Sequence, residues 1–396
     1  MNKNVLETKV QEFIRKNLFT DITKIILKGS PFRDVSAKEL ATQIEGLQKA
    51  KKKLPTWHNT SRIYFPIKLS IEQTSSEKTA KYKSELVSGK SLIDLTGGLG
   101  VDCLYFSKTI NHITHCELNK ELSAIAKHNF ECFNSNNIEC YNGDGLLHLD
   151  NSKKHYDWIY IDPARRDNNQ NRVFRLKDST PDIPSNLNNL FKHTNNILIK
   201  AAPLFDIKQG LKELRFVKEV HVVSVDNECR ELLFLLEKNY NKEPKIITVN
   251  ISNNPLQTFN FSFKEEQNAT SKYSEPKEYL YEPNTSILKA GAFQCIGTKL
   301  DIEKLNINSH LYTSSHLVDN FPGRRFQITQ TLSFDLKGLK KSLSEKRANI
   351  SCRNFPLTVE QVKKKTKLRD GGDTYLFFTR TTNNKPIIII TKKSIK

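Results

Sequence analysis

The chain has 396 residues, 37% hydrophobic and 27% charged, with only 15 Gly and 14 Pro, which excludes a disordered or fibrous protein and allows two or three domains. Its formal net charge of +19 and pI near 9.4 attract polyanions, nucleic acid before anionic membrane. A lysine-rich genome explains part of that excess but not the clusters KAKKK at 49–53 and KKKTKLR at 363–369.

In chain order, the segment to about residue 60 reads as helical. VLETKVQEFIRKNL carries Val5, Val10, Phe13, Ile14 and Leu18 on one face. With acids and bases in its first turns, it is an amphipathic helix and not a signal peptide. SAKELATQIEGLQKAKKKL repeats the pattern, with Ser36 and Glu39 spaced as a capping box. Trp57, beside the basic run, offers an aromatic for stacking on RNA, although a basic helix face is more often simply solvated. In EQTSSEKTAKYK, Ser75 or Ser76 can cap a helix through Lys83. Gln73, Ser76 and Thr79 are weaker candidates for ligand contact.

From about residue 90 the texture changes. SLIDLTGG, THCEL, IECYNGD, YDWIYIDP and NILIKAAP read as five successive strands, with helices between several of them. VKEVHVVSV and ELLFLLEK close the series. Nearly continuous apolar strands imply a parallel sheet covered on both faces. The polar stretch 252–276 contains a boundary and one short strand, FNFSF. Beyond it, strands and helices alternate to a final hairpin with the turn TTNNK, as in one or two small α+β domains. The longest purely apolar run, PIIII, is far short of a membrane span.

LIDLTGGLGVD, residues 92–102, carries the strongest chemical signal. A buried strand delivers Asp94, Thr96, Gly97, Gly98 and Gly100. Glycines let a ligand approach the backbone, and a helix N-terminus follows. Three further strands each end on an acid: Glu117, Asp144 and Asp162. Ligands of open α/β sheets bind at that edge. A dinucleotide turn would need a third glycine where Cys103 stands, and Asp94 suits a pyrophosphate poorly. It suits a cationic ligand such as S-adenosylmethionine, with Asp94 on the ammonium, Glu117 on the ribose and Asp144 on the adenine amine. Plain capping roles compete at Asp94, Asp144 and Asp162.

DLTGGLGVD, CELN, NGDG and IDPARR resemble the successive motifs of class I S-adenosylmethionine-dependent methyltransferases. YFPIKLSIEQTSSEKTAKYK, YEPNTSILKAGAF and ANISCRNFPLTVEQVKKKTKLRDGGDTYLF are similar to a bacterial family that joins such a domain to a ferredoxin-like unit and a C-terminal THUMP-like domain. The resemblance spans most of the chain from about residue 55. It implies an α/β, Rossmann-like class I methyltransferase sheet over 86–255, after an N-terminal helical region at 1–85. A ferredoxin-like unit at 277–320 and a THUMP-like domain at 321–396 follow. THUMP domains elsewhere belong to RNA-modifying enzymes, so the resemblance implies an RNA substrate, tRNA or rRNA.

In amine methyltransferases the fourth motif usually reads Asp or Asn, Pro, Pro, aromatic. Asp162 and Pro163 match and Ala164 and Arg165 depart, so the acceptor is kept and the stacking ring is lost. Arginine itself stacks on bases or pairs with phosphate, and Phe174 is a candidate replacement ring. Arg166 is as well explained as a solvated turn. C5 methylation of pyrimidines needs a cysteine after the next strand, where Ala201 and Ala202 stand; Cys229 lies a strand further on. Asn227 and Glu228, in DNECRELL, sit at a strand junction. The reading is therefore a methyltransferase acting on a base nitrogen of RNA, with Asp162, Pro163 and Arg165 at the acceptor. Methylation of a protein or small molecule is the rival enzyme, and a non-catalytic RNA-binding protein is the rival from another class. Seven scattered cysteines and dispersed histidines show no metal spacing and fit free thiols in a reducing cytoplasm.

Overall fold

The computed structural model describes residues 1–66, 68–164, 175–252, 256–343 and 345–393, without the side chains of 68–70. Arg165, Arg166 and Phe174 lie outside the described residues. The chain forms two compact units, one of 1–218 and 232–242, the other of 219–231 and 243–396.

The first unit begins with helices. Ser36 and Glu39 form the expected capping box at the head of the helix Ala37–Lys53, and Ser76 caps Glu77–Ser84. Trp57 is fully buried against Phe133, with ring centroids 5.1 Å apart. That corrects its candidacy as an RNA-stacking residue: the indole belongs to the contact between these helices and Lys120–Cys132. Asn129 of the latter helix is buried and exchanges hydrogen bonds with the backbone of Tyr64.

The sheet of this unit contains β1 (Gly89–Asp94), β2 (Ile110–Glu117), β3 (Ile138–Asn142), β4 (Trp158–Ile161) and β5 (Asn196–Ala201). The chain leaves this unit within β6 (Val217–Val225) and returns within β7 (Glu228–Glu237). The strand order is β3-β2-β1-β4-β5-β7. The first five strands pair in parallel, and β7 runs antiparallel to β5. All four residues of β4 are buried, as a strand covered on both faces requires. After β1 the chain builds outward through β2 and β3, then returns to lay β4 on the other side of β1. This reversal makes a topological switch point at the carboxyl ends of β1 and β4, the place where open α/β sheets bind ligands.

In the second unit β6 pairs in parallel with β8 (Lys245–Ile251), which pairs antiparallel with β9 (Gln257–Phe261). Asp226 and Asn227, both at positive φ, turn the chain from β6 into β7. A seven-stranded sheet follows, built from β10 (Tyr279–Pro283), β11 (Glu303–Lys304), β12 (Tyr312–Ser314), β13 (Gly323–Ser333), β14 (Asn349–Cys352), β15 (Thr374–Arg380) and β16 (Pro386–Lys393). Its order is β11-β12-β10-β13-β16-β15-β14. β15 and β16 are joined by the expected TTNNK hairpin. Their unbroken apolar runs follow from burial on both faces. Leu376, Phe378, Ile388 and Ile390 join one cluster with Leu339 and Val362. The intervening Phe377, Ile387 and Ile389 join another with Leu280, Leu311 and Phe326.

Candidate active site

The glycine turn is pressed between two rings from behind. A Cβ on Gly97 would sit 2.3 Å from the His115 ring, and one on Gly100, at φ +83°, would sit 2.2 Å from Phe130. His115 and Phe130 pack edge to face, and burial pushes the imidazole down to about 4, so it stays neutral. Gly98 differs. At φ +56°, its would-be Cβ meets only the Thr96 carbonyl, at 3.9 Å. Two of the glycines thus serve close packing, while the third leaves the outer side of the turn open.

Asp94 lies beneath this turn and is 1% exposed. One carboxylate oxygen accepts from the Thr96 amide at 2.9 Å and the Thr96 hydroxyl at 3.3 Å, the other from Cys103 Sγ at 3.2 Å. Burial pushes its pKa up to about 7, against the opposing hydrogen bond from Thr96. The capping role weighed for Asp94 is therefore present: it staples the turn from below.

Glu117, at the end of β2, is half-buried and reaches the same turn. Its Oε2 accepts from the Gly98 amide at 2.8 Å and its Oε1 from the Asn119 amide at 2.7 Å. Asp144 follows β3 and caps the helix Gly145–Ser152, accepting from the Leu146 and Leu147 amides at 2.8 and 3.2 Å. Leu118, just after β2, and Leu147, in the first turn of that helix, are large exposed apolar side chains. Sequence reasoning passed over them, since neither belongs to a chemical motif.

Asp162 follows β4 directly. Its amide donates to Thr96 Oγ1 at 2.7 Å, so Thr96 joins the first and fourth strand ends. Its Oδ2 is ion-paired to Lys200, a residue absent from the sequence-based candidates. The signal was a lone cation near the end of the apolar strand NILIKAAP. Pro163 is buried, and Ala164 bridges to Thr180. The structure thus brings Asp94, Thr96, Gly97, Gly98, Gly100, Glu117, Asp144 and Asp162 to one edge of the sheet.

A second charged cluster lies behind the turn. Lys83 is fully buried and stands 3.2 Å from Asp102, whose other oxygen accepts from Ser75 and Tyr160, each at 2.8 Å. Burial raises the Asp102 pKa, but Lys83, Lys200 and the two hydroxyl donors outweigh it and hold the carboxyl below its ordinary value. Ser75 therefore serves Asp102, while Ser76 is the helix cap.

All seven cysteines are unpaired, and burial raises every one of their thiols above the ordinary value. None is an activated thiolate. Among the described residues no group of three or more His, Cys, Asp or Glu could hold a metal, and no helix is long and apolar enough to cross a membrane.

Family models match two stretches: a ferredoxin-like domain at 279–322 and a THUMP domain-like region at 323–393. A crystal structure from Porphyromonas gingivalis W83, which carries a provisional methyltransferase designation, is 32% identical, covers 99% of both chains and superposes with a TM-score of 0.90. An uncharacterized RNA methyltransferase of Mycoplasma mobile is 23% identical over 225 residues, 52% of this chain and 61% of that protein. The chain thus spans less than two-thirds of this curated relative. The superposition over both whole chains, together with the two matched domains, shows that the chain belongs to the family in which a class I methyltransferase sheet is joined to a ferredoxin-like and a THUMP-like domain.

Proposed function

We propose that this chain is an S-adenosylmethionine-dependent methyltransferase that modifies RNA at a base nitrogen. The observation that carries the reading is the gathering of four strand-end acids beside one glycine turn, three of them, Asp94, Glu117 and Asp162, hydrogen-bonded to it directly through Thr96 and Gly98. The family relationship and the RNA methyltransferase relative support it. So do the net charge and the THUMP-like region, which suit an anionic, structured substrate.

The residues present fit the cofactor. The open side of Gly98 allows close approach to the backbone. Glu117 offers oxygens for ribose hydroxyls. Asp144 stands at the adenine end, with Leu118 and Leu147 as apolar surfaces for a flat ring. Asp94 contributes negative charge from beneath the turn toward an ammonium. When bound, S-adenosylmethionine supplies an electrophilic methyl group on a sulfonium.

Asp162 and Pro163 then orient the acceptor nitrogen, with Asp162 accepting its hydrogen bond and the departing proton. Arg165 helps to hold the substrate. Lys200 is a positioning residue that keeps the Asp162 carboxylate in place. The raised thiols argue against a route through a cysteine adduct on a pyrimidine ring. A direct transfer needs no such nucleophile.

The test is Asp162→Ala. Transfer of labelled methyl to RNA should fall by roughly 100-fold or more, with S-adenosylmethionine affinity within a few-fold by calorimetry. Lys200→Met should lower kcat in the same direction but less, and Lys200→Arg should restore part of it. Normal transfer by Asp162→Ala would remove this acid from the mechanism. No cofactor binding by the parent chain would overturn the enzyme reading. Nucleoside mass spectrometry of RNA from a deletion strain should show one missing methylated base.

A further inference from the structure

The N-terminal helices carry a surface that the methyltransferase site does not use. Phe19 is 88% exposed, and on the next helix, Ile22–Lys28, Leu27 is 81% and Ile26 52% exposed. Three large apolar side chains bared within nine residues differ from the single exposed leucines common on any surface. The turn that holds Phe19 is seated, not loose: Gln48 donates to the Leu18 carbonyl at 2.7 Å. Lys51 lies over the Phe19 ring, 5.5 Å from its centroid. Lys28, Lys51 and Lys52 are exposed and have no ion pair among the described residues.

A bare ring with a cation beside it is a pairing that one polymer satisfies with both its parts. A nucleobase covers the ring face by stacking, and its phosphates neutralise the lysines. A buried apolar partner would leave those lysines without counter-charge. An anionic lipid surface calls for a longer apolar face than a seven-residue helix whose Ile25 is turned inward. We infer that Phe19, with Lys51 over its ring and Lys52 next to it in the chain, forms a binding site for an unpaired RNA strand, outside the THUMP-like stretch 323–393. The inference rests on the RNA reading above. It gives the role expected of Trp57 to a different ring, one that the fold leaves in solvent.

The experiment uses the full chain and a fluorescein-labelled 12-nucleotide single-stranded RNA of mixed sequence, with a 12-base-pair RNA duplex beside it. Phe19→Ala should weaken single-strand binding roughly five- to thirtyfold by anisotropy and affect the duplex less. Phe19→Trp should keep the affinity, and its added emission should be quenched at saturating RNA. Lys51→Gln with Lys52→Gln should lower the salt dependence by about 0.7 in log–log slope per lost phosphate contact. Unchanged affinity in Phe19→Ala, or added indole emission in Phe19→Trp that RNA leaves unquenched, would overturn the site. So would loss in Phe19→Ala of binding to anionic phospholipid vesicles, or of a dimer, with RNA binding untouched. Parent chain that methylates RNA, with Phe19→Ala binding and transferring equally well, overturns the patch alone. Parent chain that fails to bind S-adenosylmethionine overturns the methyltransferase reading and leaves the anisotropy test standing.

Discussion

Asp94 and Asp162 both end strands, yet their surroundings set them apart. Asp162 is half-exposed and paired with Lys200; Asp94 is buried and held by a threonine and a thiol. With its pKa raised to about 7, Asp94 contributes stability that is fully present below its unfolded value near 4. That contribution is lost as pH rises through about 7, where the buried group must ionise. Asp94→Asn should therefore flatten the fall of melting temperature between about pH 4 and 7, and melt above the parent at pH 8. An unchanged slope would show that Asp94 does not titrate in this window. A cation settling against the turn favours the carboxylate, so cofactor binding at pH 7 should release up to about half a proton from Asp94. Calorimetry in buffers of different ionisation enthalpy reads that number, and buffer-independent heats in the parent would contradict it.

The glycine turn and its support separate binding from folding. Gly100→Ala meets both a left-handed backbone and the Phe130 ring. Strain of ~1–2 kcal/mol plus overpacking of ~1–3 kcal/mol should lower stability by about 3 kcal/mol. Gly98→Ala carries only the backbone strain, ~1–2 kcal/mol, and should instead weaken S-adenosylmethionine binding. Equal loss of stability in both variants, measured by denaturant unfolding, would refute this division. Behind the turn, Lys83→Met strands Asp102 in the interior and should cost ~3–5 kcal/mol. Lys83→Met with Asp102→Asn should lose less than Lys83→Met alone, because it keeps the hydroxyl partners and leaves no unpaired charge. A double variant less stable than the single would show that the Asp102 charge is held by other groups.

At the scale of the whole molecule, a charge of +19 predicts binding to RNA that is strong and salt-dependent. If five or more phosphates are neutralised, a single-stranded RNA should show a log–log slope steeper than about −3.5. A slope near −1, measured by anisotropy across 50–200 mM salt, would mean that the charge is spread rather than gathered at a binding face.

The sequence by itself determined the periodic features. Strand alternation, the order of acids at the ends of β1 to β4, the capping box at Ser36 and the final hairpin all depend on neighbours close along the chain. Tertiary structure decided what depends on distant neighbours. Trp57 is in the core because Phe133, 76 positions away, covers it. Lys200 became part of the candidate site because β5 lies beside β4, 38 residues from Asp162. Gly97 and Gly98 look alike in TGG, and only the His115 ring behind one of them tells packing from access. Local pattern reports which face of a strand or helix is apolar; it cannot report which distant side chain will meet it there.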